Sequence, residues 1–134
     1  MALDLHAAFS GSPCMNMRSF RKDGTPVDTP LWVTCIDGKL GSYTDDRSFK
    51  AKRVQRNQRV EVAACDVWGR RSTDWYAATC RVVTEPDLRN AIFRGLEQKY
   101  GIHWKLSLWG SLLTRRVPHR FVMQFDVNTE APLP

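Results

Sequence analysis

The chain has 134 residues, 43% of them hydrophobic and 25% charged, which is ordinary for a globular protein and points to a single domain. Its formal net charge is +6 and its pI about 9.5, a balance that favours an anionic partner such as a phosphorylated cofactor, a nucleic acid or a membrane surface. No apolar run approaches the roughly 20 residues of a membrane helix, and the N-terminus M-A-L-D-L-H-A-A-F, with an early acid and no basic head, is not a secretory signal, so the expectation is a cytoplasmic protein without a membrane partner.

In chain order, residues 2–9 suit a short helix that packs through Leu3, Leu5 and Phe9 and stops at Gly11-Ser12-Pro13. Residues 17–21 read as a first strand, and K-D-G-T-P (22–26) as a tight turn. Residues 27–36, V-D-T-P-L-W-V-T-C-I, are rich in β-branched and aromatic types and read as one strand. Pro30 inside it cannot donate to a ladder, so the strand must be an edge or kinked, with backbone groups left for another partner. Asp37-Gly38 makes a second hairpin turn and residues 39–44 the return strand. A helix over 49–57 follows, with Ser48 as its N-cap and Ala51 and Val54 as a thin apolar face. Residues 59–66 and 74–83 are strands joined by a loop turning on Gly69. Thr84-Glu85-Pro86-Asp87 marks a helix start, with threonine as cap and proline in the first turn. Leu88, Ile92, Phe93, Leu96 and Tyr100 then share a face, and Gly101 ends the helix. Residues 102–116 read as a second short helix or an irregular cover, residues 120–127 as a final alternating strand, and the tail as loose. Short turns between most strands predict a mostly β fold with flanking helices, an antiparallel sheet closed into a small barrel.

The chemistry-bearing stretch is Y-T-D-D-R-S-F-K-A-K-R-V-Q-R-N-Q-R-V, residues 43–60. A hydroxyl-bearing strand end meets a helix with five cations nearby: Lys50, Lys52, Arg53, Arg56 and Arg59. A helix start with cations beside it is suited to holding a phosphate; the bland alternative is a solvated basic helix. Elsewhere candidate chemistry is sparse. Cys14, Cys35, Cys65 and Cys80 form no C-x-x-C pair and read as reduced structural thiols rather than metal ligands. His6, His103 and His119 have no carboxylate at a telling spacing, and no nucleophile or acid–base dyad is expected, nor any metal.

This stretch resembles the phosphate-binding segment of the pyridoxamine-phosphate-oxidase-like split barrels, whose pattern is Tyr-Thr, a short loop, Ser-Arg-Lys or Ser-Gly-Lys, a helix, then Asn-Pro-Arg-Val. S-F-R-K-D-G-T-P-V-D-T-P-L-W-V, A-A-C-D-V-W-G-R and L-E-Q-K-Y-G resemble the small single-domain branch, so the similarity runs in order over residues 17–101. The resemblance implies an antiparallel Greek-key split β-barrel that binds FMN, or the related deazaflavin coenzyme, at the interface of a homodimer. It also implies an oxidoreductase passing hydride to a small molecule, with the flavin carrying the chemistry. Residue by residue, it assigns Thr44 and Lys50 to the cofactor phosphate, with Tyr43 beside them and Lys52 or Arg53 as further cations. It lays the ring along Asp28, Thr29, Pro30, Leu31, Trp32 and Val33, and it puts Thr73 near a ring-contacting position. Phe49 stands where the oxidases have arginine and Gln58 where they have proline. The residues specific to pyridoxamine are not recognisable, so oxidation of vitamin B6 is not expected. The rival readings are a non-catalytic flavin or haem carrier of the same fold, and a nucleic-acid-binding module; against the latter, no helix-turn-helix or RNP-like motif occurs.

Overall fold

The structure is a computed structural model that describes residues 2–45, 49–101 and 120–134. Its strands are β1 (Cys14–Phe20), β2 (Pro26–Leu31), β3 (Thr34–Ile36), β4 (Lys39–Asp45), β5 (Arg59–Cys65), β6 (Tyr76–Val82) and β7 (Arg120–Val127), and its helices α1 (Leu5–Ser10), α2 (Phe49–Arg56) and α3 (Pro86–Tyr100). The strands form one sheet in the order β2-β1-β5-β6-β7-β4-β3, with antiparallel neighbours throughout. The sheet curls until β2, at one edge, comes into contact with β4 near the other. The result is the expected split barrel, a curled antiparallel sheet with flanking helices.

Alternation sorts the strand side chains onto two faces. Met15, Met17, Leu31, Leu40, Val60, Val62, Phe121, Met123 and Phe125 point into the barrel, where Leu5 and Phe9 of α1 and Ala51 and Val54 of α2 join them. Those four helix residues are the apolar positions read from sequence. Val122, of opposite parity in β7, faces outward and packs with Ile92 and Leu96 of α3 and with Trp32, Ile36 and Tyr43. Asp37 (φ 52) and Gly38 (φ 77) both have positive φ, as a two-residue turn between β3 and β4 requires.

Four boundaries differ from the sequence reading. The first strand begins at Cys14 rather than residue 17. The single strand expected over 27–36 is divided at Trp32 and Val33, because side chains of α3 take the backbone of Val33. The N-cap of α3 is Glu85, not Thr84: it is extended (φ −68, ψ 123), as a residue before proline prefers, and its carboxylate accepts a 2.8 Å hydrogen bond from Arg81 instead of capping. The tail is tied down by Asn128 N–H to Ala77 C=O (2.9 Å), Leu3 N–H to Thr129 C=O (2.8 Å) and Leu133 N–H to Trp75 C=O (2.8 Å). The expected cap Ser48 and the cover over 102–116 lie outside the described residues.

Helix α3 reaches β3 and β4 through two glycines. A Cβ on Gly41 would stand 2.8 Å from Ile92 Cγ1, and one on Gly95 would stand 2.5 Å from Thr34 Oγ1 and 3.1 Å from Ile36 Cδ1. Replacing a mid-helix glycine by alanine ordinarily gains about 1 kcal/mol of helix propensity, whereas overpacking costs about 1–3 kcal/mol. At Gly95 the overlap is close enough for the second effect to win. Gly95→Ala is therefore expected to lower stability by about 1 kcal/mol in urea denaturation; a raised midpoint would mean that α3 has room to lift from β3.

Candidate functional site

Two hydrogen bonds fix which way the edge strand faces. Ala64 N–H donates to Thr73 Oγ1 (3.0 Å) and its C=O accepts from Ser72 N–H (2.8 Å), so its backbone points away from β1. Ala64 lies opposite Met15, and Met15 opposite Leu31. In an antiparallel ladder the pattern alternates, so Leu31, Thr29 and Val27 bond to β1, while Pro26, Asp28 and Pro30 turn their backbone to the open edge. Both prolines thus fall where no ladder donor is needed, and Asp28 turns an N–H and a C=O there that no described residue pairs. The Asp28 side chain is committed elsewhere: its carboxylate takes Arg18 Nε (2.7 Å) and Nη2 (3.1 Å). Arg18 also reaches Glu61 (3.4 Å) and lies 4.0 Å over the Trp75 ring.

The next two residues belong to an aromatic cluster under α3. Trp32 stacks on Tyr100 (centroids 4.5 Å, 9° between planes) and meets Tyr43 edge-on at 6.4 Å; Tyr43 in turn meets Phe93 at 6.3 Å. Val33 is fully buried. Its N–H donates to Tyr100 Oη (2.9 Å) and its C=O accepts from Lys99 Nζ (2.9 Å). Neither group is available to a ring at that position.

On the other side, α2 and the β1–β2 turn enclose a groove of 420 Å³ lined by Arg21, Lys22, Phe49, Lys52, Arg53 and Arg56. Five of these six are cations and none is acidic. Arg53 donates from Nε to Oγ of Ser19 (2.8 Å), and burial first, then Arg21 and Arg56, push its pKa below the usual guanidinium value. Lys52 is exposed, 5.5 Å over the ring of Phe49, itself 77% exposed.

The sequence candidates therefore separate. Lys52 and Arg53 share the basic groove with Arg21 and Lys22, which a reading along the chain missed because they come from a distant turn. Arg59 does not join them; it lines a separate 400 Å³ cavity with Glu61, Thr79 and Asp126. Lys50 is half-buried in the first turn of α2 and does not line the groove. Thr44 is buried near the end of β4, on the face opposite Tyr43, across from Phe121; residues 46–48, between it and α2, are outside the described residues. Thr29 is half-buried, Leu31 is core, and Pro30 is exposed below Gly69, whose Cβ would stand 3.6 Å from the proline Cγ. The Thr73 hydroxyl accepts from Ala64 N–H and donates to Asp74 C=O (2.8 Å), so it ties the β5–β6 loop together. Among the described residues no His/Cys/Asp/Glu cluster suits a metal ion, and no helix is long and apolar enough to cross a membrane.

Residues 3–130 match the sequence profile of a family described as pyridoxamine 5'-phosphate oxidase. No curated protein matches the chain. Among solved structures it is similar to a conserved hypothetical protein of Mycobacterium tuberculosis, with 19% identity over 89% of this chain and 75% of that one and a TM-score of 0.64. It is also similar to HutZ, the haem storage protein of Vibrio cholerae (7% identity, 88% and 83%, TM-score 0.68), and to General Stress Protein 26 of Bacillus anthracis (16% identity, 91% and 84%, TM-score 0.59). At these identities the likeness is one of fold.

Within the basic groove Arg53 and Arg56 tie α2 to β1, through Ser19 Oγ (2.8 Å) and Phe20 C=O (3.2 Å), whereas Lys52 is exposed. Arg53→Ala leaves the buried hydroxyl of Ser19 without its partner and is expected to cost about 1–2 kcal/mol, whereas Lys52→Ala at an exposed site should stay within about 0.5 kcal/mol. Urea denaturation of the two variants checks this; equal losses would contradict the division.

Proposed function

Because the chain belongs to the pyridoxamine 5'-phosphate oxidase family, we propose that it is an oxidoreductase that binds FMN, or the related deazaflavin coenzyme, between the subunits of a homodimer. The observation that carries this reading is the open edge of β2. Asp28 and Pro30 turn outward, beside Trp32, backbone groups that no described residue pairs, and a flat heterocycle with a polar rim fits such an edge. The residues present suit the group: the edge supplies both a donor and acceptors, and the Tyr43-Thr44 strand end leads by a short segment to the cations of α2.

When bound, the flavin supplies the hydride chemistry, which is why no acid–base dyad is needed. The chain's own part is to bind and orient. The Thr44 hydroxyl, the Lys50 ammonium and the first N–H groups of α2 would hold the phosphate. Arg21, Lys22, Lys52 and Arg56 widen the positive field, which suits the phosphodiester and glutamate tail of the deazaflavin as well as FMN. Phe49 in place of arginine removes one cation from that set. Pairing of two subunits is supported by the β5–β6 loop, where Val67 is 59% and Trp68 77% exposed, and by the limited burial a chain of this size achieves alone. A second reading is a carrier or sensor of flavin or haem without turnover, which the likeness in fold to a haem storage protein supports.

Absorbance and mass spectrometry of the small molecule that copurifies, followed by reduction with dithionite or a nicotinamide donor, separate these readings. A flavin spectrum that bleaches and recovers with an acceptor supports the oxidoreductase; a Soret band, or flavin that never turns over, supports the carrier. Lys50→Ala should weaken FMN at least about tenfold, the worth of one charge-assisted hydrogen bond, with an unchanged circular dichroism spectrum. Unaltered affinity would count heavily against the phosphate grip.

A further inference from the structure

A second cavity, 480 Å³, lies at the end of α1 beneath the last turn of α3, and its walls include Ser12, Pro13, Trp32, Val67, Lys99 and Tyr100. Its cation is unusual in its company. Lys99 Nζ donates to the carbonyls of Phe9 (2.8 Å) and Val33 (2.9 Å). An ammonium has three hydrogens, so one remains, and no carboxylate pairs with Lys99 among the described residues. Among the described residues, the titratable side chains that face it are Cys14 of β1 and Tyr100 of α3; burial raises both, so both are neutral at pH 7. Burial also pushes Lys99 down to about 8, against a small upward pull from Cys14. Among the described residues this half-buried cation has two carbonyls and the Tyr100 ring, 5.2 Å to its centroid, but no anion, and is electrostatically incomplete.

The wall beside Lys99 is aromatic. Tyr100 carries the stacked Trp32, and its hydroxyl is fixed by accepting from Val33 N–H and donating to Pro13 C=O (2.8 Å). Val67 adds apolar surface from the loop held by Asp66, whose Oδ1 accepts from Trp68 N–H (2.8 Å) and Arg70 N–H (2.9 Å). The same loop places Gly69 against Pro30, so this cavity and the open edge of β2 share a wall.

We propose that this cavity binds a planar aromatic carboxylate, its ring against Trp32 and its carboxylate on the remaining N–H of Lys99, and that this is the substrate pocket of the reaction proposed above. The assignment as a substrate pocket rests on that reading; the binding site itself does not.

Titration calorimetry on the full chain with 2-naphthoate and the neutral 2-naphthylmethanol tests it. At pH 7 the carboxylate should bind at least about tenfold more tightly than the alcohol, the worth of one charge-assisted hydrogen bond. The sign of the pH effect follows from the ammonium: the preference is complete below pH 8 and is lost as the pH rises through it. Lys99→Met should abolish the preference and keep the alcohol's affinity, while Lys99→Arg should retain part of it. Equal affinities at pH 7, a preference undiminished at pH 9.5 or surviving Lys99→Met, or no binding of either probe would overturn the site. If Lys99→Met does not fold, the pH profile of the unaltered chain decides. Flavin content, read separately by absorbance, keeps the two proposals apart. Naphthoate bound by protein that takes up no flavin overturns the oxidoreductase reading alone. Flavin bound without any preference for naphthoate overturns this pocket alone.

Discussion

The backbone of Val33 is satisfied by a helix rather than by a strand, and much of the molecule follows from that. Tyr100 and Lys99, adjacent at the end of α3, accept its N–H and donate to its C=O. A fully buried peptide group without partners would cost several kcal/mol, so this tie is compulsory once the chain leaves the ladder at Leu31. It divides β2 from β3, lets β2 end as a free edge, and turns Trp32 onto the Tyr100 ring. The same two side chains reach the carbonyls of Phe9 and Pro13, so α1, β1, β2, β3 and α3 meet at one point.

That meeting depends on close approach. Gly41 and Gly95 let α3 lie against β4 and β3 with contacts that no Cβ would permit. Had α3 been lifted by the width of a methyl group, hydrogen bonds of about 2.9 Å to Val33 would be out of range. Packing and polar satisfaction here are one constraint, and the small residues are the part of it that side-chain chemistry alone does not reveal.

The electrostatics divide between two places. The groove of Arg21, Lys22, Lys52, Arg53 and Arg56 gathers like charges at the surface, where solvent screens most of the cost. Lys99 sits deeper and, among the described residues, is compensated by two carbonyl dipoles and the Tyr100 ring rather than by an anion. The first arrangement suits an extended anion that stays partly wet, and the second suits a single carboxylate beside an aromatic wall. On the reading proposed above, the basic groove would take a cofactor tail and the cavity of Lys99 a substrate.

The sequence by itself determined the local features. Alternation in residues 120–127, the Asp37-Gly38 turn, the proline-led start of α3 and the thin apolar face of α2 act over a few residues, where backbone sterics and side-chain period are decisive. The ordered motifs also carried the family and hence the split barrel. Tertiary structure alone decided what depends on distant partners. The break at Trp32–Val33, the tail pinned along β6, the joining of Arg21 and Lys22 to the cations of α2, and the exclusion of Arg59 from them all depend on contacts across the sheet. Nothing in L-E-Q-K-Y-G announces that Lys99 meets two carbonyls more than sixty residues away. Burial and hydrogen-bond partners are properties of the folded chain, and they decide whether a charge is a solvated ornament or the centre of a site.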